Sequence, residues 1–305
     1  MGVIAGDGAE AARKVRSGVL AALGANLWWG FLPLLFYFLD AVDPFVVVAA
    51  RTVCSLVVVG VAILGAGRWQ EVRAVLAHGR TAATLLLSAV LLAANWLVYI
   101  YAIQSGHVLE GSFGYFINPM VNVAMGMLFL GERQSRGQTA ALFLALVAIG
   151  IQAIGLGTVP YISLTLALTF GLYGFFRKTV RANSATGLFV ETVLLTPVAL
   201  AYLAYSALTA GGAEFTDLRT ALLLLSTGPA TAAPLLLFAY AVQRLRLTTV
   251  GMFQYIAPSI QFMLAITFFR EHLNPVRLVS FVLVWIALMI FSAKSVRQGR
   301  QATRP

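Results

Sequence analysis

Long apolar runs follow one another along almost the whole chain, with only short connections between them. A helix that crosses a bilayer needs about 20 predominantly apolar residues, and hydropathy distinguishes ten runs of this kind. They fall near residues 17–38, 44–65, 80–103, 109–130, 136–155, 160–177, 187–208, 219–241, 248–268 and 275–293. The sequence therefore predicts an all-α polytopic membrane protein with ten transmembrane helices.

The composition excludes a soluble globular enzyme. Hydrophobic residues make up 60% of the 305 residues and charged residues only 10%, against roughly 45–50% and 25% in soluble domains. Ten spans with short connections use about 300 residues, which leaves no room for a sizeable extramembrane domain. Residues 1–16 and 294–305 are predicted to be short N-terminal and C-terminal tails.

The distribution of the 21 Lys and Arg residues predicts the orientation in the membrane. With a cytoplasmic N-terminus, 17 of them fall on the inside and only Arg219, Arg270 and Arg277 on the outside, while Arg51 lies within a span. Because cytoplasmic loops carry the excess of basic residues, both termini are expected in the cytoplasm, as in a bacterial-type inner membrane protein. The net charge of +10 is explained by this topology, and no nucleic-acid partner is predicted.

A weak duplication relates the two halves of the chain. Three pairs share one identical spacing along the sequence: Pro119 and Pro258, Glu132 and Glu271, and Ser135 and Asn274. The prolines predict helix breaks within the spans, and Ser135 and Asn274 are good N-cap residues. A unit of five helices has an odd number of crossings, so the second copy must be inverted. The sequence therefore predicts two inverted five-helix repeats, at 17–155 and 160–293. This arrangement is typical of secondary transporters, and a duplicated scaffold without transport is the alternative.

Two charged residues lie inside predicted spans, where a charge costs roughly 2.5–3.5 kcal/mol on insertion scales. Arg51 and Glu191 are separated by almost the same spacing as the three pairs above and are therefore nearly equivalent in the two repeats. The functional interpretation is that Arg51 attracts an anionic or carboxylate-bearing substrate, while Glu191 binds a coupling proton or another cation. The alternatives are a fixed ion pair between them or side chains that extend to the membrane interface.

Small and polar residues share one face of the fourth and ninth spans. They are Ser112, Tyr115, Pro119, Asn122 and Gly126, with the counterparts Gly251, Gln254, Pro258, Gln261 and Ala265. Asn118 lies beside this face, and Asn95 and Tyr99 share a face of the third span, next to Trp96. These side chains suit the wall of a substrate cavity, and they equally suit polar contacts between helices. Trp28, Trp29 and Tyr173 are interpreted as packing or interfacial aromatic residues.

Several segments resemble one group of permeases. They are Asn95-Trp96-Leu97, the run from Leu109 to Pro119, Gly131-Glu132-Arg133, Arg244-Leu245-Arg246-Leu247 and Phe253-Gln254-Tyr255-Ile256. Over about residues 15–295 the chain resembles the RarD-type permeases of the EamA family, in the drug/metabolite transporter superfamily. The resemblance implies an inner-membrane permease of two inverted repeats that exports a small metabolite or drug-like solute. It also implies charged residues at the positions of Arg51 and Glu191. Arg270 stands where the first repeat has Gly131, so a different turn geometry is expected there.

The sequence favours a transporter over an enzyme or a channel. It contains no His-Glu-x-x-His, no Gly-x-Ser-x-Gly and no phosphate-binding loop, so no enzymatic activity and no cofactor are expected. His78, His107 and His272 are too far apart to suggest a metal site. An inverted repeat within one chain favours a gated cavity over a continuous pore. The expected partners are a small-molecule substrate and the lipid bilayer, and a homodimer is left open.

Overall fold

A computed structural model describes residues 3–130, 136–180, 182–209, 212–242, 244–245, 250 and 252–301. The regular secondary structure of these residues is helical throughout. The helices are α1 (Val3–Tyr37), α2 (Pro44–Gly65), α3 (Trp69–Ala77), α4 (Gly79–Gln104), α5 (Val108–Leu130), α6 (Arg136–Gly155), α7 (Tyr161–Thr179), α8 (Ser184–Thr209), α9 (Ala213–Thr216), α10 (Leu218–Val242), α11 (Ile256–Thr267) and α12 (Pro275–Gln301).

A helix overlaps each of the ten predicted spans, which confirms an all-α polytopic fold. Seven helices in the described part of the chain are long and apolar enough to cross a membrane, and α5, α7 and the shorter α11 pack among them. Many large apolar side chains point outward, including Ile154 and Leu208, which are 87% and 86% exposed. Such a surface is stable in lipid, where the backbone of each helix satisfies its own polar groups.

The helices extend further than predicted at both ends of the chain, and an additional short helix lies between α2 and α4. α1 begins at Val3 and α12 extends to Gln301, so helix occupies much of both predicted tails. The connection between α2 and α4 contains the nine-residue α3, which buries Val72 and Val75. A helix of this length is too short to register in a search for segments of about 20 apolar residues.

The packing of the helices follows the same pattern in the two halves of the chain, as the predicted repeat requires. The spacing shared by the paired residues of the two halves relates α1 to α7, α2 to α8, α4 to α10, α5 to α11 and α6 to α12. Each contact between the halves has a counterpart in which both helices are replaced by their equivalents. The contact of α5 with α7 corresponds to that of α11 with α1, and the contact of α4 with α7 to that of α10 with α1. The contact of α2 with α10 corresponds in the same way to that of α8 with α4. The pairs α2–α8, α5–α11 and α6–α12 join corresponding helices. The fold is therefore two intertwined copies of one five-helix unit.

Corresponding helices also begin with corresponding caps. The Asp43 carboxylate accepts a hydrogen bond from the backbone N–H of Phe45 at the start of α2. Asn183, its counterpart in the second repeat, accepts one from the N–H of Ala185 at the start of α8. Such side chains satisfy amide groups that have no partner within the helix. Asn274 caps α12 in the same way, as the sequence predicted, by accepting from the N–H of Arg277 at 2.8 Å; Glu132 and Ser135 lie outside the described residues.

The two prolines act differently on their helices. α5 continues through Pro119 to Leu130, so the predicted break is only the loss of one backbone donor there and not the end of a helix. Pro258 is the third residue of α11, and the chain forms a turn at Gln254 and Tyr255 immediately before that helix. A proline ring clashes with the carbonyl four residues earlier, which for Pro258 is the carbonyl of Gln254. The ninth span is therefore discontinuous next to the turn.

Close contacts fix α5 against helices of the other repeat. A Cβ atom at Gly114 would lie 2.7 Å from the carbonyl oxygen of Ser163, so glycine permits the close approach of α5 to α7. The Ser112 hydroxyl donates a hydrogen bond of 2.9 Å to the carbonyl of Pro258 on α11. These contacts place α5 beside both α7 and α11 at the centre of the protein.

Candidate functional site

A cavity of about 280 Å³ lies between the two repeats. It brings together Arg51, Asn95, Tyr99, Tyr115, Asn118, Pro119, Gln254, Pro258 and Gln261, which the sequence singled out. The side chain of Asn122 lies outside the described residues. Glu191 does not line the cavity and is held nearby by Arg177, which does line it.

The guanidinium of Arg51 is held at one wall of the cavity. The residue is only 4% exposed, although α2 carries it well inside the membrane-spanning region. Its Nε donates a hydrogen bond of 2.6 Å to the hydroxyl of Thr231 on α10. Its Cζ lies 4.1 Å from the ring centroid of Trp96, a cation–π contact. Nη1 is buried and makes no hydrogen bond to the described residues, so it remains as a donor for an anionic group.

Asn95 makes polar contacts between helices, which the sequence left open as the alternative to a place in the cavity wall. Its amide Nδ2 donates to the carbonyl of Leu166 at 2.9 Å and to the hydroxyl of Thr169 at 3.0 Å, both on α7. Its Oδ1 accepts a hydrogen bond of 3.1 Å from the hydroxyl of Tyr115 on α5. Asn95 therefore joins three helices and also lines the cavity, so it orients Tyr115 toward the same space.

Several polar groups of the cavity wall lack a protein partner among the described residues. They are the Tyr99 hydroxyl, Asn118 Oδ1, Asn26 Oδ1 and Gln261 Oε1, all buried. The other end of the Gln261 amide donates to the backbone carbonyl of Trp29 at 3.1 Å, which fixes its position. Buried polar groups are normally hydrogen-bonded, so this cluster can accept hydrogen bonds from a bound solute.

Aromatic rings cover much of the remaining wall. Trp29 packs on Phe238 with ring centroids 5.6 Å apart, and Phe170 packs on Tyr173 at 5.8 Å. All four residues line the cavity, so Trp29 and Tyr173 are more than the packing or interfacial residues that the sequence suggested. Trp28, in contrast, is 49% exposed on the outer surface of the helix bundle.

Glu191 pairs with Arg177 rather than with Arg51. Glu191 is 1% exposed, its Oε1 accepts a hydrogen bond from the hydroxyl of Ser88, and the same oxygen lies 3.7 Å from Nε of Arg177. Arg177 also donates to the carbonyl of Ser184 at 3.4 Å. Its guanidinium lies over Gly187, where a Cβ atom would collide with it. In the sequence, Arg177 is one of the 17 basic residues that indicate the topology, and nothing in the sequence indicates its pairing with Glu191.

The cavity extends toward one membrane face only. Its lining includes Arg177, Ser184 and Ala185, which lie near the connection between α7 and α8, and Ser184 is exposed. The opposite face is where α5 and α12 begin. In the stretches 100–114 and 262–277, which the structure describes throughout, no residue lines the cavity. The protein is therefore closed at the face where α5 begins.

An all-helical membrane protein with an inverted repeat and a central cavity has the architecture of a transporter. The EamA-like transporter family matches residues 16–153. Protein RarD of Salmonella typhi is 41% identical over 294 residues, which cover 95% of this chain and 99% of that protein. An uncharacterized transporter of Vibrio cholerae serotype O1 is 39% identical over 293 residues, 96% of this chain and 97% of the relative. The chain belongs to the EamA-like transporter family, among its RarD-type permeases.

A solved crystal structure is similar to this fold at much lower sequence identity. It aligns with a TM-score of 0.61 and 16% identity, over 90% of this chain and 97% of that chain. The likeness shows a shared fold. It is consistent with the ten-helix, two-repeat arrangement described above.

Proposed function

We propose that the protein is a secondary transporter that exports a small organic anion across a bacterial-type inner membrane by alternating access. The observation that carries the proposal is the guanidinium of Arg51, which is buried at the wall of a central cavity with one nitrogen free of partners among the described residues. A buried charge within a membrane span is expensive and usually marks a substrate or ion pathway. Arg51 supplies that charge here.

The chemistry of the cavity defines the solute in general terms. An acidic group would bind Arg51, and hydrogen-bond donors of the solute would bind amides such as those of Asn118 and Gln261. The aromatic wall suits an apolar or planar body. A cavity of about 280 Å³ lies just below the range of about 300–1,000 Å³ for drug-sized ligands, which favours a small metabolite.

The repeat supports alternating access. Two copies related by a pseudo-two-fold axis can exchange conformations, and this exchange converts a cavity open to one face into a cavity open to the other. The cavity lies between the copies and extends to one face. The charge distribution supports an orientation with both termini in the cytoplasm, in which the α7–α8 face is the cytoplasmic one.

Glu191 is assigned to coupling within this proposal. It is the repeat counterpart of Arg51, but its partner is Arg177, a residue of the cavity wall. A solute anion that binds Arg177 would compete with Glu191, so the two events would be linked. A proton or another cation that neutralises Glu191 would then accompany the solute.

Metabolite profiling of whole cells tests the transport. Cells that overproduce the wild type are compared with cells that produce Arg51→Ala at equal membrane levels, and small molecules are measured in medium and cytosol. We expect an acidic compound to accumulate in the medium only with the wild type. Accumulation in the cytosol instead would overturn export, and identical profiles would overturn the role of Arg51.

A further inference from the structure

Glu271 connects the two repeats at the closed face. It lies in the segment 268–274 between α11 and α12, and its carboxylate accepts hydrogen bonds from two backbone N–H groups at the start of α5. One is from Val108 and the other, at 3.0 Å, from Leu109. These amides have no partner within α5, and the positive end of the helix dipole favours a carboxylate there.

The surrounding segment is shaped to hold the carboxylate in place. The N–H of Glu271 donates to the carbonyl of Ala265 at 2.9 Å, which folds the chain back onto α11. Arg270, the residue before it, has a φ of 54°, a left-handed conformation that non-glycine residues rarely adopt. Next to it, Arg277 of α12 and Glu110 of α5 form an ion pair at 3.2 Å. Two independent contacts therefore join the start of α5 to the other repeat.

These contacts separate the cavity from the membrane face where α5 begins. The Ser112 hydroxyl bonds to the carbonyl of Pro258 one turn further along α5, and Pro258 itself lines the cavity. The buried rings of Phe113 and Phe116 fill the space beside them and pack on Phe281 of α12. A path from this face to the cavity would require α5 to separate from α11 and α12.

We infer that Glu271 is the gating residue of this face: its bonds to α5 hold the cavity closed, and they must break when the cavity opens there. We call this set of contacts, between Glu271 and the N–H groups of Val108 and Leu109, the latch. The inference rests on the proposed alternating access and adds to it the residue that controls one of the two openings.

The latch is sensitive to pH. Burial raises the pKa of Glu271 to about 7, against the opposing effect of the two backbone N–H groups and Arg277, while nearby Glu110 raises it further. A carboxyl released to water returns to a pKa of about 4.5. The latched state therefore holds its proton more strongly and is favoured below about pH 7, and it loses this advantage as the pH rises through 7. Between pH 6 and pH 8 its population relative to the open state falls roughly tenfold.

Other charged and titratable groups surround the latch. Glu110 of α5 and Arg277 of α12 are the two that interact with Glu271 directly. Further groups near this face are Arg270 and His272 on the same segment, His107 before α5, and Tyr161 of α7, which interacts with Glu110. A variant of Glu110 therefore serves as the control that distinguishes titration of Glu271 from titration of this neighbouring carboxyl group.

Cysteine accessibility tests the latch in the full-length protein. Asn118→Cys, in the cavity wall, is placed in a Cys54→Ala background and labelled with a membrane-impermeant maleimide from the α5 face of sealed vesicles. Rates are divided by those of the Glu271→Gln variant at the same pH, which cancels the pH dependence of the thiol. We expect this ratio to rise roughly tenfold from pH 6 to pH 8, because the carboxyl of the wild type titrates in this range and the glutamine does not.

Two further variants make the outcome decisive. Glu271→Ala removes both bonds and is expected to raise labelling at pH 6 by about threefold or more, whereas Glu110→Gln keeps the latch and should still respond to pH. A ratio that does not change with pH, or an unchanged rate in Glu271→Ala, would overturn the inference. The assay needs no transported solute, so failure of the latch and failure of the proposed transport are read separately.

Discussion

Arg51 on α2 and Thr231 on α10, which are 180 residues apart in sequence, are joined by a hydrogen bond of 2.6 Å from the guanidinium Nε to the hydroxyl oxygen. The threonine in turn donates to the carbonyl of Thr227, which fixes its lone pairs toward the arginine. The ring of Trp96 on α4 lies 4.1 Å from the Cζ of Arg51, so residues of both halves of the chain hold the guanidinium. The free nitrogen therefore has a defined direction, as recognition of a planar anion requires.

Removal of the Thr231 hydroxyl should weaken solute binding without abolishing transport. Thr231→Val keeps the shape but loses the acceptor, a change of about 1 kcal/mol, so the KM for the transported solute should rise about fivefold at similar maximal flux. Thr231→Ser, which keeps the hydroxyl, is the control. Equal kinetics of Thr231→Val and the wild type in proteoliposomes would contradict this role of Thr231.

Arg51→Lys should lose most transport in the same proteoliposomes, because an ammonium cannot make the planar contacts of a guanidinium.

The pair of Arg177 and Glu191 should stabilise the fold only as a pair. Arg177→Met leaves the carboxylate of Glu191 buried without its cation, which is expected to lower the free energy of unfolding by about 3 kcal/mol. Addition of Glu191→Gln to that variant should recover most of the loss, because no buried charge remains. Unfolding in detergent micelles measures the four proteins of this cycle. Additive effects of the two substitutions would show that the groups do not interact.

The sequence predicted the spans because hydropathy is a local property. The repeat could also be predicted, because the spacing from Pro119 to Pro258 is the same as the spacing from Ser135 to Asn274. Partner choice was not readable, because it depends on how each helix is rotated against its neighbours. Arg177 illustrates this limit: it follows an apolar run like any arginine at the end of a span, and only the folded chain, which brings the end of α7 close to Glu191, reveals the contact.

The segment before α12 carries conformational strain that a single substitution should relieve. Arg270 has a φ of 54°, which costs roughly 1 kcal/mol for a residue with a Cβ atom. Arg270→Gly should therefore raise the free energy of unfolding by about that amount. Arg270→Ala removes the same charge but keeps the Cβ, so it should bring little or no gain. If both variants were equally stabilised, the charge rather than the backbone would be the cause.

Gly187 is the residue that most directly controls the position of Arg177. A Cβ atom at this site would collide with the guanidinium, so Gly187→Ala should push Arg177 away from Glu191 and weaken the buried ion pair. Transport should fall strongly, because the proposed coupling depends on this pair. Gly150→Ala is a matched control, because a Cβ atom there meets no neighbour within 4 Å, and it should leave transport unchanged. In an Arg177→Met background the effect of Gly187→Ala should shrink, since a flexible thioether can move aside. A full effect in that background would place the cause in the backbone of α8 instead of the arginine.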